Sequence, residues 1–112
     1  MDCIFCKIIA GEIPSAKVYE DESCVVIRDI NPQAKVHCLV MPKEHVEDLR
    51  AAASNPELLG KLMAVCAKVA KQEGLDESGY RVVTNCGKDA CQSVPHLHFH
   101  VLGGEQLAEK MS

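Results

Sequence analysis

The chain has 112 residues, 47% of them hydrophobic and 25% charged, which is the composition of one globular domain spanning residues 1–112. A net charge of −4 argues against a protein that binds nucleic acid or an anionic membrane surface. Because no apolar run reaches 18 residues and no signal-peptide pattern follows Met1, we expect a cytoplasmic protein whose seven cysteines are reduced or bound to metal.

The first half of the chain predicts two short helices and three strands. Apolar residues recur at helical spacing in segment 3–10, and Gly11 and Pro14 follow as punctuation. His37 lies in the centre of a strand, and we interpret it as a packed or surface histidine without chemistry. The remaining elements are predicted as strands at 17–20, 24–28 and 36–41 and a helix over about 44–53.

The second half predicts one long helix followed by two strands. Asn55 is a suitable N-cap, Pro56 fits the first helical position, and an apolar stripe continues to Glu73 before Gly74. Strands are predicted at 80–85 and 96–102, separated by a polar loop. The fold class is therefore α+β, with a five-stranded antiparallel sheet, one long helix and short helices, the helices lying on one face of the sheet.

Three histidines alternate with apolar residues near the C-terminus. On a strand, His96, His98 and His100 would share one face, while the residues between them would face the core. Imidazole can act as a ligand, a nucleophile or a proton donor near neutral pH. A solvated strand face and an adventitious metal site are the plainer alternatives, but the regular triple spacing favours a functional site.

A Cys-x₂-Cys pair, Cys3 and Cys6, opens the chain. This spacing suits two of the four ligands of tetrahedral zinc. A free thiol pair, a redox pair and a zinc ion shared with Cys86 and Cys91 remain open alternatives.

Residues 96–102 read His-x-His-x-His-x-x with every x apolar, and this motif resembles the histidine-triad (HIT) nucleotide-binding family. The resemblance extends over residues 2 to about 104 and is to the Hint-like branch, whose members are phosphoramidases. It implies the HIT fold. The other matching segments are 3–11, 29–34, 40–45 and 92–94.

The resemblance implies a purine nucleoside phosphoramidase, or nucleotidyl hydrolase. His98 would attack the α-phosphorus and form a nucleotidyl-histidine, which water then hydrolyses. His100 would contact the phosphate or protonate the leaving group. Two alternatives are a dinucleoside polyphosphate hydrolase of the same family and a nucleotide-sensing or scaffolding module with incidental hydrolysis.

The family pattern also implies the nucleotide contacts. Asn85 and Ser93 would lie near the phosphate or leaving group, and Asp29 would bind the ribose. By themselves, Asn85 could simply end a strand, Ser93 could begin one, and Asp29 could belong to a turn. Cys91 stands where related proteins often have glycine. A purine would be enclosed by apolar side chains that could equally be ordinary core: Ile4, Phe5, Ile8, Ile27 and Ile30.

Many bacterial members bind zinc through two cysteines and two histidines, so the resemblance assigns Cys3, Cys6, His45 and His96 to a structural Zn²⁺. It also implies a homodimer and a purine mononucleotide of the AMP or GMP type as substrate or product. The C-terminal tail departs from the Hint-like pattern, since the sequence has no tryptophan at all.

Overall fold

A computed structural model describes residues 3–110 of the chain. Five antiparallel strands form one sheet, and the helices pack against it. The sheet order is β1-β2-β3-β5-β4. The predicted α+β class is confirmed, and β1 and β2 match their predicted bounds. The strands are β1 (Lys17–Glu20), β2 (Cys24–Arg28), β3 (Val36–Pro42), β4 (Tyr80–Val83) and β5 (Phe99–Gly103).

The central strands are buried on both faces because each face is covered by a different helix. On one face, Val26 of β2 pairs with Val40 of β3, and both belong to the core beneath the long helix. On the other face, Val25 and Met41 are paired and pack with the short N-terminal helix. The expectation that the helices share one face is therefore wrong, because successive side chains of a strand point to opposite faces.

Three α-helices are present among residues 3–110: α1 (Ile4–Ile9), α2 (Leu49–Ala52) and α3 (Pro56–Gln72). The predicted capping of α3 is confirmed, since the Asn55 side chain accepts a hydrogen bond from the Leu58 backbone N–H at 3.2 Å. None of the helices in this part of the chain is long and apolar enough to cross a membrane.

Strand β4 ends at Val83 rather than at residue 85, and two further predicted elements, α2 and β5, begin later than expected. Asp48 caps α2 by accepting from the Ala51 N–H at 3.0 Å, so the helix begins at Leu49 and residues 44–47 remain extended or bent. In this connection the Val46 carbonyl accepts from the Leu97 N–H at 2.6 Å. Leu97 therefore bonds to a loop rather than to a neighbouring strand, and β5 begins at Phe99 rather than at His96.

Candidate active site and metal centre

Three histidine rings lie together on the sheet face that α1 covers in part. His98 is 4% exposed, and its ring centroid is 5.1 Å from that of His100. The register pairs Leu39 of β3 with His100 of β5, so His37 lies two residues along the same face. The His37 and His100 rings are also 5.1 Å apart.

The backbone fixes the tautomer of His98. Its Nδ1 lies 2.7 Å from the carbonyl oxygen of His96, and because a carbonyl can only accept, Nδ1 carries the hydrogen. Burial lowers the pKa of His98, so the ring is neutral at pH 7. Its Nε2 therefore keeps a lone pair, as a nucleophile requires.

A second chain of hydrogen bonds fixes the tautomer of His100. The Gln33 backbone N–H donates to His37 Nδ1 at 3.0 Å, so neutral His37 carries its hydrogen on Nε2. This Nε2–H donates to His100 Nδ1 at 2.9 Å. Neutral His100 must then carry its own hydrogen on Nε2, where it can donate to an oxygen of a bound phosphate.

His100 is held neutral by its surroundings. Burial, and then the neighbouring His98 and His37, lower the pKa of His100 to about 4. The unfolded chain, with an ordinary pKa near 6.5, binds this proton more tightly than the folded protein does. The contribution of neutral His100 to the free energy of unfolding is therefore fully present above pH 6.5 and decreases as the pH falls toward 4.

We expect this titration to remove about 2 kcal/mol of stability between about pH 7.5 and pH 5. Denaturant unfolding of the wild type and of His100→Asn at both pH values measures it. The variant should lose about 2 kcal/mol less than the wild type over this interval. Equal losses in the two proteins would show that His100 is not the titrating group.

Asp29 lies at the outer end of the histidine chain. Its Oδ1 accepts from the Asn31 backbone N–H at 2.9 Å, and its Oδ2 is 3.4 Å from His37 Nε2. The predicted turn geometry is therefore present. One carboxylate oxygen faces the site, where a ribose hydroxyl could donate to it.

A cavity of about 530 Å³ opens beside His37 and His100, within the usual size range of small-ligand sites. Asn85 lines it, and its role near the phosphate stays a prediction. Ser93 is exposed and is not among the lining residues, so its proximity to a phosphate stays a prediction. The other lining residues are Gln33, Arg81, Val83, Leu102, Leu107, Ala108 and Lys110.

The loop between β4 and β5 is held by Gln92. Its side-chain oxygen accepts from the Gly87 N–H at 2.8 Å, and its side-chain nitrogen donates to the Glu47 and Val94 carbonyls at 2.8 and 3.0 Å. Within the turn that these bonds close, Cys91 has a left-handed backbone, with φ of 59°. Such a conformation favours glycine, which is why a cysteine is unexpected there.

The five apolar residues predicted to enclose a purine divide into two groups. Phe5, Ile8 and Ile27 are buried in the core between α1 and the sheet. Ile4 and Ile30 are 48% and 97% exposed. An isoleucine so fully exposed beside Asp29 is an apolar surface that a bound base could cover.

The candidate metal ligands are brought together as predicted. Cys3 and Cys6 come from the start of α1, His45 comes from the loop after β3, and His96 comes from the segment before β5. The ligand atoms of these four residues all lie within 4.8 Å of one another. The distances from sulfur to Nδ1 are 3.4 Å for Cys3–His96, 3.2 Å for Cys6–His45 and 3.6 Å for Cys6–His96.

These distances fit tetrahedral zinc. Zn–S and Zn–N bonds of about 2.3 and 2.0 Å place sulfur and nitrogen ligands roughly 3.5 Å apart. His96 is buried, and its Nε2–H donates to the Pro42 carbonyl at 2.8 Å, which leaves Nδ1 unprotonated toward the sulfurs. Burial and the adjacent Cys3 raise the pKa of Cys6, so ligation has to displace a proton from that thiol.

Three contributors to the site carry no obvious signal in the sequence. Recognising His37 requires the register between β3 and β5, which places it against His100. Thr84 donates from its hydroxyl to the His98 carbonyl at 2.8 Å, and Gln92 organises the loop. Each role depends on a hydrogen bond that the sequence pattern does not indicate: His37 to the His100 ring, Thr84 to the His98 carbonyl, and Gln92 to the Gly87 N–H.

Comparison with known proteins gives a consistent result. The profile of the HIT domain matches residues 10–107. A 14 kDa zinc-binding protein of Zea mays is 54% identical in an alignment of 109 positions that covers 93% of this chain and 83% of the relative. A HIT-like protein of Synechococcus elongatus is 51% identical over 96% of this chain and 94% of its own.

Solved structures agree with the sequence relatives. A histidine triad protein from Clostridium difficile superposes with a TM-score of 0.94 at 46% identity, covering 98% of this chain and 96% of its own. A HIT family hydrolase from Legionella pneumophila gives 0.93 at 42% identity, covering 96% and 97%. With its alternating histidines, its Cys/His cluster and this fold, the chain belongs to the HIT domain family.

Proposed function

We propose that this HIT-family hydrolase is a purine nucleoside phosphoramidase that works through a nucleotidyl-histidine intermediate. The observation that carries the proposal is the pair of fixed tautomers. His98 presents an unprotonated Nε2, and His100, one position into the strand, presents an Nε2–H. A nucleophile and a donor are thus held side by side before any substrate binds.

The reaction then runs in two balanced steps. In the first, a bond forms between His98 Nε2 and phosphorus, the phosphorus–nitrogen bond breaks, and the amine departs with one proton taken up from solvent. In the second, water attacks phosphorus, the bond to His98 breaks, and a proton returns to solvent. The His96 carbonyl stabilises the positive charge on the His98 ring in the intermediate, because it accepts from Nδ1–H throughout.

Substrate profiling tests the proposal. Adenosine 5′-phosphoramidates should be turned over in preference to dinucleoside polyphosphates, with nucleoside monophosphate as a common product. A preference for polyphosphates would favour the alternative hydrolase. Nucleotide binding without turnover of either class would favour a sensing or scaffolding role.

The ribose contact gives a quantitative prediction. Asp29→Ala should weaken AMP binding by about 1–3 kcal/mol, the usual scale for losing hydrogen bonds to a charged acceptor. Isothermal titration with AMP and 2′-deoxy-AMP measures it. The deoxy nucleotide should bind more weakly than AMP to the wild type but equally to the variant.

Asp29→Asn is the matched control, because its side-chain oxygen can still accept from the Asn31 N–H and keep the turn. We expect it to retain the fold while losing most of the ribose contribution. Undiminished affinity for AMP in both variants would overturn the ribose assignment.

We infer that the metal is zinc. Thiolate and imidazole ligands at tetrahedral spacing suit it, and the similar Zea mays protein is named for binding zinc. When bound, zinc would supply structural cross-linking.

All seven cysteines lie among the described residues and are free, which supports a reducing, cytoplasmic location.

We also propose a homodimer. β4 is the last strand of the sheet, and its outer edge offers backbone groups that a second strand could pair with. Tyr80 on this strand and Met63 on α3 are 37% and 47% exposed. Sedimentation equilibrium at micromolar concentration should give twice the chain mass, and a monomer there would refute the proposal.

A further inference from the structure

We propose that the ligand set of the metal centre also positions the His98 ring, through the main chain of His96 and the ring of Phe5. Phe5 is then a positioning residue, in addition to any contact with a nucleotide base. The inference rests on the proposed function in taking His98 as the nucleophile. The contacts that carry it are all between residues of this chain.

The first connection is the main chain of His96. This residue is fixed at both ring nitrogens, with Nδ1 toward the Cys3 and Cys6 sulfurs and Nε2–H on the Pro42 carbonyl. Its own carbonyl accepts from His98 Nδ1 at 2.7 Å. Residues 96–98 precede β5, so sheet pairing does not hold this carbonyl in place. The ring contacts of His96, together with the 2.6 Å hydrogen bond from the Leu97 N–H of the same peptide group to the Val46 carbonyl, therefore orient the acceptor for His98.

The second connection is the ring of Phe5. Phe5 lies between the two cysteines on α1, and Cys3 caps that helix by accepting from the Cys6 N–H at 3.4 Å. The Phe5 ring meets His98 at an interplanar angle of 85° and a centroid distance of 5.0 Å. It also meets His96 at 77° and 5.8 Å. One aromatic ring on the metal-binding helix thus contacts both a metal ligand and the nucleophile.

Together these contacts restrict the His98 ring on two sides. The His96 carbonyl selects the Nδ1–H tautomer, and the Phe5 ring limits rotation about the side-chain bonds. With a smaller side chain in place of Phe5, the His98 ring would rotate more freely and populate both tautomers. A nucleophile that spends less time in the reactive geometry reacts more slowly, even when the substrate binds equally well.

The test compares Phe5→Leu with Val25→Ala in zinc-loaded full-length protein without nucleotide. Val25 is a fully buried member of the same core cluster on β2, so its truncation matches the loss of packing. Histidine-selective ¹⁵N labelling reports ring tautomers at a fixed neutral pH. The His98 signals are identified by their disappearance in His98→Gln.

The expected result is one zinc ion per chain in both variants, with wild-type His98 signals in Val25→Ala. In Phe5→Leu, these signals should move toward the average of two tautomers, and kcat should fall about tenfold or more. A metal-stripped wild-type sample that remains folded should show the same averaging.

Wild-type His98 signals in zinc-loaded Phe5→Leu would overturn the inference, whatever the stripped protein does. A change confined to KM would likewise leave Phe5 as a wall of the base site and nothing more. Because the ring signals are measured without substrate, they remain decisive if the chain proves not to hydrolyse phosphoramidates. Failure of the proposed function would then be seen separately, in the turnover assay.

Discussion

Replacing His98 by alanine is expected to lower phosphoramidate turnover on the order of 10⁴-fold or more, because removal of a covalent nucleophile closes the two-step route. The protein should remain folded, since the lost ring faces the site beside Phe5 and His100 rather than the core beneath α3. Nucleotide binding should persist through Asp29. Steady-state kinetics and AMP titration of the purified variant measure the two effects.

His96→Ala is the matched comparison, two residues earlier in the same segment. It should lose metal and thermal stability, because its ring is a candidate metal ligand that also donates to the Pro42 carbonyl. A rapid quench of the wild type into alkaline denaturant should trap a nucleotide on a peptide that contains His98. The role assignment fails if His98→Ala keeps near-normal turnover while folded His96→Ala has none.

The Cys3→Ser/Cys6→Ser double variant should bind no zinc and should lose at least about 3 kcal/mol of stability. Cys3 is 2% exposed at the start of α1, and the four ligands join segments that are far apart in the chain. Removing this cross-link frees α1 from the loop after β3 and from the segment before β5. Metal analysis after purification without chelator, together with chemical unfolding, measures both losses.

Cys86→Ser/Cys91→Ser is the matched double control. Both residues lie in the loop between β4 and β5, outside the cluster of candidate ligands, so this variant should keep one zinc ion per chain. The wild type should release its metal in acid, because thiolates and neutral imidazoles must gain protons to let it go. Full zinc in the Cys3/Cys6 variant, or its loss from the control, would refute the proposed ligand set.

Local sequence rules predicted the regular part of the fold well. β1 and β2 have their predicted bounds because two short runs rich in β-branched and aromatic residues, joined by a short polar connection, specify a hairpin. Helix α3 begins at Pro56 as predicted, since its cap is made by the adjacent Asn55. In these elements the deciding contacts lie within a few residues along the chain.

The sequence-based prediction failed where distant contacts decide the local structure. His96 alternates with apolar residues as a strand would, yet its ring is held by the cysteines of α1 and by Pro42. The pattern also gave no reason to connect His37 with His100, which are 63 residues apart. The family motifs identified the candidate metal ligands from the sequence, but the tautomers of His98 and His100 follow only from hydrogen bonds in the folded structure.

The left-handed backbone at Cys91 has a practical consequence. The backbone of Cys91 is held in the turn that Gln92 closes, and its thiol lies at the surface. The structure describes all seven cysteines, and Cys91 is the exposed one. A thiol-specific fluorophore should therefore react there first and disturb the loop little. Placed on the loop that also carries Asn85 of the cavity lining, it should report, by its emission, the arrival and departure of a ligand.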